Sequence, residues 1–214
     1  MKLSSKLGLA VWASLLSAAA YSQQSVKWDA ARAALAGQGC VKDVDAFVLE
    51  NGNDLSVVFS NLGVNLPGNS SSTLAARSNC TVRVPARVAP GVYIGELTQR
   101  ISYGVTKTAR TRGSVATRST FFGFPVSPYT IDLPYGRSIN EPLLVNSRQD
   151  LFSVRTTPTW YQGWCAPRRA PQGLYQANFA ISGQKDHASE DLIMFVDGLD
   201  LKWEIVAGPV QCQL

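Results

Sequence analysis

The only histidine of this sequence, His187, is the first residue that could do chemistry. It lies in the polar segment Lys185–Asp191, beside a serine and several acids. A hydrolytic triad requires a nucleophile, a base and an orienting acid that converge in space. The sequence contains no G-x-S-x-G turn that would present a serine, and a segment this polar is usually solvated. We therefore do not expect His187 to be catalytic.

Carboxylates offer a second chemistry, because glycoside hydrolysis uses two acids at a set separation. Eight acids in the second half of the chain are available for such a pair: Asp132, Glu141, Asp150, Glu190, Asp191, Asp197, Asp200 and Glu204. The chain has 15 acids, so some pair can always be proposed and the pattern has little specificity. The acidic segment 186–200 also lacks the EF-hand spacing that binds Ca²⁺. The sequence therefore predicts no catalytic residue, no metal site and no cofactor.

A basic segment between residues 106 and 120 is a candidate binding surface. Four basic residues occur in it among Thr, Ser, Gly and Ala: Lys107, Arg110, Arg112 and Arg118. Alternation along a strand would place basic side chains on one face, where they could bind a cell-wall polyanion, lipopolysaccharide or nucleic acid. The interpretation we favour is a solvated strand whose charges prevent edge-to-edge aggregation. The formal charge is +5, and removing Lys2 and Lys6 leaves +3, which is too weak to indicate nucleic acid.

An aromatic-dense segment just before the third cysteine is the second candidate surface. Its rings belong to Trp160, Tyr161 and Trp164. Exposed rings on a β-sandwich can stack on sugars, whereas buried rings can pack against a disulfide, and we favour packing in the core. Together with the basic segment, these rings are the candidate contacts for a cell-wall glycan, an extracellular glycan or another polyanion.

Residues 1–22 have the pattern of a signal peptide. Lys2 and Lys6 form a basic start, Leu7–Leu16 is an apolar core, and small residues follow up to Ser22. We expect cleavage near Ala20 or Ser22. The alternative is a retained anchor, but the apolar run is well short of the ~20 residues that span a bilayer. The pattern therefore predicts a secreted, periplasmic or cell-surface protein with no transmembrane segment.

Four cysteines follow the leader, at Cys40, Cys80, Cys165 and Cys212. An even number of cysteines outside the cytosol indicates disulfides, and no CxxC spacing suggests a zinc or redox site. Four cysteines allow three connectivities, which the sequence does not separate. We favour Cys40–Cys80 with Cys165–Cys212, because these pairs close loops of similar size, 40 and 47 residues.

Strand and turn signals follow one another from Gly37 onwards. The Asn51–Asp54 segment predicts a hairpin turn, and the stretch 61–73, rich in Gly, Asn, Ser and Pro, predicts a surface loop. Alternation after Cys80 places Val82 and Val84 on the same inward face as that cysteine. Pro85 is expected to end central pairing or to mark an edge, and Asp197–Gly198 predicts the turn of a last hairpin.

One stretch has a helical pattern. Ser25–Ala36 places Val26 and three alanines on one face before Gly37, so residues 23–36 are either a short helix or a lead-in, and residues 37–214 form one domain. Short strands with frequent turns and no βαβ alternation indicate an all-β protein. The expected fold is an antiparallel β-sandwich with two disulfides and a short N-terminal helix.

Several short motifs occur in a characteristic order: Gly37–Cys40, Leu55–Phe59, Asn79–Pro85, Pro90–Ile94, Trp164–Cys165 and Leu201–Trp203. In this order, and with the terminal Cys212, they resemble the domain-of-unknown-function family 4360, small exported proteins of bacteria and fungi. The resemblance covers roughly Gly37 to Cys212. It implies an exported, disulfide-containing fold, and the family has no established activity to carry over.

These observations favour a non-enzymatic binding or structural module at the cell envelope or outside the cell. The alternative is a secreted, polysaccharide-directed hydrolase that uses a carboxylate pair. Exposed aromatics in a groove would favour sugar binding, whereas two carboxylates facing each other across a cleft would favour the hydrolase. The ligand and the oligomeric state are not predicted.

Overall fold

The computed structural model describes the backbone of residues 26–68, 72–89, 93–94, 96–122, 124–125, 128–136, 138–153, 164–165 and 172–204. Side chains are described over the same ranges, except at 93–94, 96–98, 124–125, 129, 140–153, 164–165 and 202–204. The predicted signal peptide, Trp160, Tyr161 and Cys212 lie outside these ranges. None of the described helices is both long and apolar enough to cross a membrane.

The described chain is built almost entirely from β-strands. Their bounds are β1 Val26–Trp28, β2 Ala34–Gly37, β3 Ala46–Asn51, β4 Asp54–Leu66, β5 Ala75–Val88, β6 Tyr93–Ile94, β7 Glu96–Lys107, β8 Thr111–Phe121, β9 Phe124–Pro125, β10 Tyr129–Leu133, β11 Ile139–Ser153, β12 Trp164–Cys165, β13 Gln172–Lys185 and β14 Leu192–Glu204. One turn of 3-10 helix spans Ala30–Arg32. The expected all-β, antiparallel fold is confirmed.

Two antiparallel sheets face each other across the core. The seven-stranded sheet has the order β1-β5-β13-β8-β10, with β2 also beside β5 and β9 beside β8. The five-stranded sheet has the order β11-β7-β14-β4-β3, and β6 pairs with β12 separately. Phe59 of β4 packs edge-on against Phe179 of β13, with ring centroids 5.5 Å apart. The core therefore lies between the inward faces of the two sheets, as a sandwich requires.

The alternation predicted after Cys80 is confirmed, since Cys80, Val82 and Val84 are all buried. Pro85, however, does not end the strand, because β5 continues through it and it lies opposite Leu174. Its carbonyl oxygen accepts a hydrogen bond from Asp29 N at 2.8 Å on the other side. In an antiparallel ladder a residue's N–H and C=O point to the same neighbour. The missing donor of Pro85 therefore faces the edge of the sheet, where the next strand is interrupted.

That interruption replaces the helix expected over Ser25–Ala36. From Val26 the chain forms β1, one 3-10 turn and then β2, and both strands pair with β5. Val26 and Trp28 are buried while Lys27 is exposed, which is the two-residue period of a strand. The alanines that suggested a helix therefore belong to a broken edge strand.

Two further expectations are corrected. The stretch from 61 onwards was expected to be a loop, but β4 continues to Leu66 because Leu62, Val64 and Leu66 are buried between the sheets. The Asp197–Gly198 turn is not formed either. β14 runs straight through it, and the register shifts between Val196 and Gly198, so an irregularity of the β-bulge kind occupies this position. The Asn51–Asp54 hairpin turn is confirmed between β3 and β4.

The favoured disulfide Cys40–Cys80 is formed, with a Cα–Cα distance of 5.8 Å. Cys40 lies in the connection from β2 to β3, so the disulfide ties the crossover between the sheets to β5. The second expected disulfide, Cys165–Cys212, lies outside the described side chains and stays a prediction.

Candidate functional site

The outer surface of the seven-stranded sheet gathers polar side chains from five strands, and we call it the basic face. Paired residues point to the same side of a sheet, so the register assigns its members. They include Lys27, Arg77, Asn79, Thr81, Arg83, Arg87, Arg112, Ser114, Ala116, Arg118, Thr120, Thr130, Asp132, Gln172, Leu174, Gln176, Asn178, Ala180, Ser182 and Gln184.

The basic face has an unbalanced charge. It carries six exposed cations and a single exposed anion: Lys27, Arg77, Arg83, Arg87, Arg112 and Arg118 against Asp132. Within the part of the chain that the structure describes, the one ion pair joins Arg32 to Asp29, in a cavity that Lys27 and Arg87 also line. None of the six cations is therefore neutralised by a contacting carboxylate among the described residues.

Neutral amides hold two of these arginines in place. Arg83 Nε donates to Gln176 Oε1 at 3.1 Å, and Arg112 donates to Gln184 Oε1 from Nε at 3.1 Å and from Nη2 at 2.6 Å. Asn178 Oδ1 accepts a hydrogen bond from Thr81 Oγ1 at 2.9 Å, which orders the Asn178 amide. Amide acceptors orient a guanidinium without cancelling its charge, so the face is both ordered and positive.

Small side chains form a strip across the middle of the basic face. Ala180 lies opposite Ala116 on the neighbouring strand, with Asn79 beyond Ala180 on β5 and Thr130 beyond Ala116 on β10. The longer side chains of Arg77 and Arg118 lie on either side of this strip in the register. The face therefore has a low strip that runs across the strands, with one arginine in the row on either side of it.

A cavity of about 480 Å³ opens at one end of the basic face, and we call it the end cavity. Side chains from four strands and one turn line it, among them Arg77, Arg112, Ser114, Asp132, Tyr135 and Ser182. The Arg112 guanidinium lies over the Tyr135 ring, 5.3 Å from its centroid. Positively and negatively charged side chains thus line one concave site, together with hydroxyl groups.

A second cavity, of about 550 Å³, lies at the edge of the sheet beside β1 and contains two carboxylates, Asp29 and Glu50. Asp29 accepts hydrogen bonds from Arg32 N and Arg32 Nε. The side-chain bond to Arg32 is the main cause that lowers the pKa of Asp29. A general acid needs a raised pKa instead. Asp29 is held as a carboxylate by Arg32, so it does not meet the requirement for the general acid of a hydrolase pair.

The four basic residues predicted from the sequence do not share one face. Arg112 and Arg118 belong to the basic face on β8, and Arg110 is exposed in the turn between β7 and β8. Lys107 is buried, because it ends β7 in the opposite sheet and points inward. Its Nζ donates to Thr111 O at 3.0 Å and to Thr108 O at 3.3 Å, and burial lowers its pKa. Lys107 therefore closes the end of the core rather than presenting a charge to a ligand.

The aromatic candidates are not placed. Trp160 and Tyr161 lie outside the described residues, and only the backbone of Trp164 is described, in β12 opposite Ile94. Stacking on sugars and packing in the core both stay predictions for these rings.

Sequence reasoning missed the arginines of β5, Arg77 and Arg87, and the amides of β13. The alternation around Cys80 already placed Arg83 on the outward side, and the same period extends to Arg77 and Arg87. No local pattern, however, indicated that β13 lies between β5 and β8 and unites their basic side chains.

The described candidates for catalysis belong to different parts of the fold: His187, Glu190 and Asp191 share the segment between β13 and β14, whereas Asp132 lies on β10 and Asp200 on β14. His187 is exposed in the turn after β13, where its carbonyl oxygen accepts from Glu190 N at 3.2 Å. Asp200 accepts from Ser56 Oγ at 2.6 Å in the five-stranded sheet, and Asp191 accepts from Gly68 N in the loop before β14. Glu141, Asp150 and Glu204 have no described side chains. Among the described residues, no three His, Cys, Asp or Glu side chains are grouped as metal ligands.

Comparison with known proteins leaves the family open. No family model matches the chain, and no curated protein matches it at a significant level, so membership of family 4360 stays a prediction.

Solved structures match the chain only weakly. The carbohydrate-binding module TmCBM61, solved with β-1,4-galactotriose, has a TM-score of 0.30 and 10% identity over 82% of this chain and 91% of its own. CBM28, a module specific for non-crystalline cellulose, has a TM-score of 0.28 and 14% identity over 74% of this chain and 79% of its own. An exo-β-1,3-galactanase from Phanerochaete chrysosporium has a TM-score of 0.24 and 11% identity over 83% of this chain but only 29% of its own. At these values the three structures carry no argument about the ligand or activity of this chain.

Proposed function

We propose that this protein is an exported, non-enzymatic binding module for an acidic polysaccharide at the cell envelope or outside the cell. The polysaccharide would lie along the basic face. The observation that carries the proposal is the excess of six cations over one anion on a single exposed sheet surface. A surface of one sign attracts a polymer of the other sign and raises its association rate.

The hydrogen-bonding groups between the arginines support a glycan in particular. Ser, Thr, Asn and Gln side chains both donate and accept hydrogen bonds, which matches the hydroxyl groups of sugars. The Cys40–Cys80 disulfide supports a location outside the cytosol, because disulfides persist mainly in oxidising compartments. The expected leader at residues 1–22 agrees with that location.

The proposal is tested by affinity electrophoresis of the protein, without its leader, in gels that contain polygalacturonate or a neutral galactan. We expect the acidic polymer to retard the protein, the neutral one to leave it unchanged, and added salt to weaken the retardation. The Arg83→Gln, Arg118→Gln double variant should bind more weakly by a factor of up to roughly 30, because each exposed charge contributes up to about 1 kcal/mol.

Arg100→Gln is the matched control, since Arg100 is exposed on the outer face of the five-stranded sheet. Equal losses in the Arg100 variant and in the double variant would place binding elsewhere. Equal retardation by the neutral and the acidic polymer would contradict the proposal as a whole.

A further inference from the structure

The end cavity has a charged group on each side of a floor of hydroxyls. The register aligns Arg77, Ser182, Ser114 and Asp132 across four adjacent strands. Strands lie about 4.8 Å apart, so the Cα atoms of Arg77 and Asp132 are about 14 Å apart. Ser182 Oγ and Ser114 Oγ lie between them, at 2.9 Å from each other. The row is therefore long enough for a ligand that presents a negative group at one end and hydroxyls at the other.

The two charged ends of this row are free, whereas the wall beside it is fixed. Arg112 is held by two hydrogen bonds to Gln184 Oε1 and by the Tyr135 ring. Within the described part of the chain, Arg77 and Asp132 have neither an ion pair nor a hydrogen bond from their side chains. The cavity thus offers one available cation and one available anion beside an arginine that is held in place.

These groups match a sugar that carries a carboxylate. A guanidinium binds a carboxylate through two parallel N–H···O bonds. A carboxylate such as Asp132 only accepts hydrogen bonds, so it pairs with sugar hydroxyls as donors. The serine hydroxyls can do both.

A sulfated sugar fits the same cavity less well. Sulfation replaces hydroxyl donors by anions, and an anion near Asp132 is repelled while Asp132 loses its donors. Asp132 is the one acidic side chain of the basic face, so discrimination against sulfate depends on it.

We infer that the end cavity is a subsite for a uronic-acid residue, in which Arg77 binds the carboxylate and Asp132 accepts from the hydroxyls and excludes sulfated glycans. This inference rests on the proposed function and names the ligand class of the same face.

Isothermal titration calorimetry at low salt tests the subsite, with short oligogalacturonates, their methyl esters and sulfated galactan oligosaccharides of similar length. The wild-type chain should bind the oligogalacturonate more tightly than either of the other two. Arg77→Gln should weaken oligogalacturonate binding at least tenfold, as expected for a lost charge-assisted hydrogen bond. Asp132→Asn should improve binding of the sulfated oligosaccharide and so reduce the difference in affinity between the oligogalacturonate and the sulfated ligand.

Arg83→Gln is the control on the same face, outside the end cavity. It should weaken the binding of both acidic ligands by about the same factor, and that factor should be smaller than the loss that Arg77→Gln causes for the oligogalacturonate. Circular dichroism of each variant checks that it folds. If Arg77→Gln and Arg83→Gln have equal effects, or if the sulfated ligand binds the wild type more tightly, the subsite is overturned and the proposed function stands. If the wild type binds no acidic ligand better than a neutral galactan oligosaccharide, the proposed function fails and the subsite fails with it.

Discussion

At the scale of single residues, the core contains a polar network that the hydrophobic pattern does not reveal. Gln99 is fully buried between the sheets, and its Oε1 accepts from Ser119 Oγ at 2.7 Å and from Tyr175 OH at 2.9 Å. The Nε2 atom of Gln99 has no hydrogen-bond partner among the described groups. Burial raises the pKa of Tyr175, so that its phenol remains a donor. A buried donor of this kind links the stability of the fold to pH.

Tyr175→Phe should lower the free energy of unfolding by about 1 kcal/mol at neutral pH, the net value of one hydrogen bond. The cost is small because Gln99 Oε1 still accepts from Ser119. The folded pKa of Tyr175 lies above its unfolded value of 10.0, so the unfolded chain releases this proton first and stability falls as pH rises above about 10. Tyr175→Phe should lack the part of the stability loss above about pH 10 that deprotonation of Tyr175 causes. Urea unfolding from pH 7 to pH 11 measures both effects.

Tyr135→Phe is the matched control at neutral pH only, because Tyr135 is 39% exposed but desolvation and a hydrogen bond with Asp186 raise its pKa as well. It should change neutral stability by less than about 0.5 kcal/mol. An alkaline decline that is equally steep in wild type and Tyr175→Phe would contradict the assignment to Tyr175.

At the scale of elements, prediction succeeded where the signal is local. The hairpin at Asn51–Asp54 follows from turn chemistry between adjacent strands, and the inward face of β5 follows from a two-residue period. The helix expected over Ser25–Ala36 was wrong because the edge of β5 captures these residues as strands, and tertiary pairing overrides the helical preference of alanine. Asp197–Gly198 was wrong because a glycine within a strand can mark an irregularity as well as a turn.

The candidate site could be predicted only in part, for the same reason. Arg112 and Arg118 lie on one strand, so alternation alone placed them together. Lys107 was wrongly grouped with them, because a turn at residues 108–110 sends the next strand to the other sheet. The contribution of Arg77 depends on β13 lying between β5 and β8, a pairing that no local pattern encodes.

Close packing between neighbouring strands gives a test at the element scale. The ring of Phe195 lies against Gly104 of β7, where an added Cβ would overlap Cζ and come within 2.6 Å of Cε1. Gly104→Ala should therefore displace the half-buried ring and lower the free energy of unfolding by about 1 kcal/mol, the low end of the usual cost of overpacking. Chemical denaturation measures the change.

Gly198→Ala is the control in the same sheet, because its added Cβ would meet only Val57 O at 3.6 Å. The double variant Gly104→Ala, Phe195→Ala should cost less than the sum of the two single variants, since the overlap is removed. Additive costs would show that the ring does not occupy the space above Gly104.

At the scale of the whole molecule, the Cys40–Cys80 disulfide joins the crossover between the sheets to a strand in the middle of the fold. It closes a 40-residue loop, and the chain-entropy estimate for that length is about 4 kcal/mol. Domain stabilities are typically about 5–15 kcal/mol, so this one bond is a large part of the total.

The Cys40→Ala, Cys80→Ala double variant should lose up to about 4 kcal/mol of unfolding free energy, because its unfolded chain is no longer constrained. Urea unfolding measures the loss. Titration of thiols in the denatured, unreduced wild type should find none, and two free thiols would contradict the expected Cys165–Cys212 pair. A double variant as stable as the wild type would show that native contacts alone hold the crossover.

The order of the strands along the chain determines when the protein can fold. β13 lies between β5 and β8 in one sheet, and β14 lies between β7 and β4 in the other. These two are the last of the described strands, so neither sheet can be joined into one piece until residues 172–204 have been synthesised. Pairing between segments so distant in the chain is also slow. Until then the nascent chain can form only separate pieces of each sheet, such as the β3–β4 pair and the β8–β10 pair.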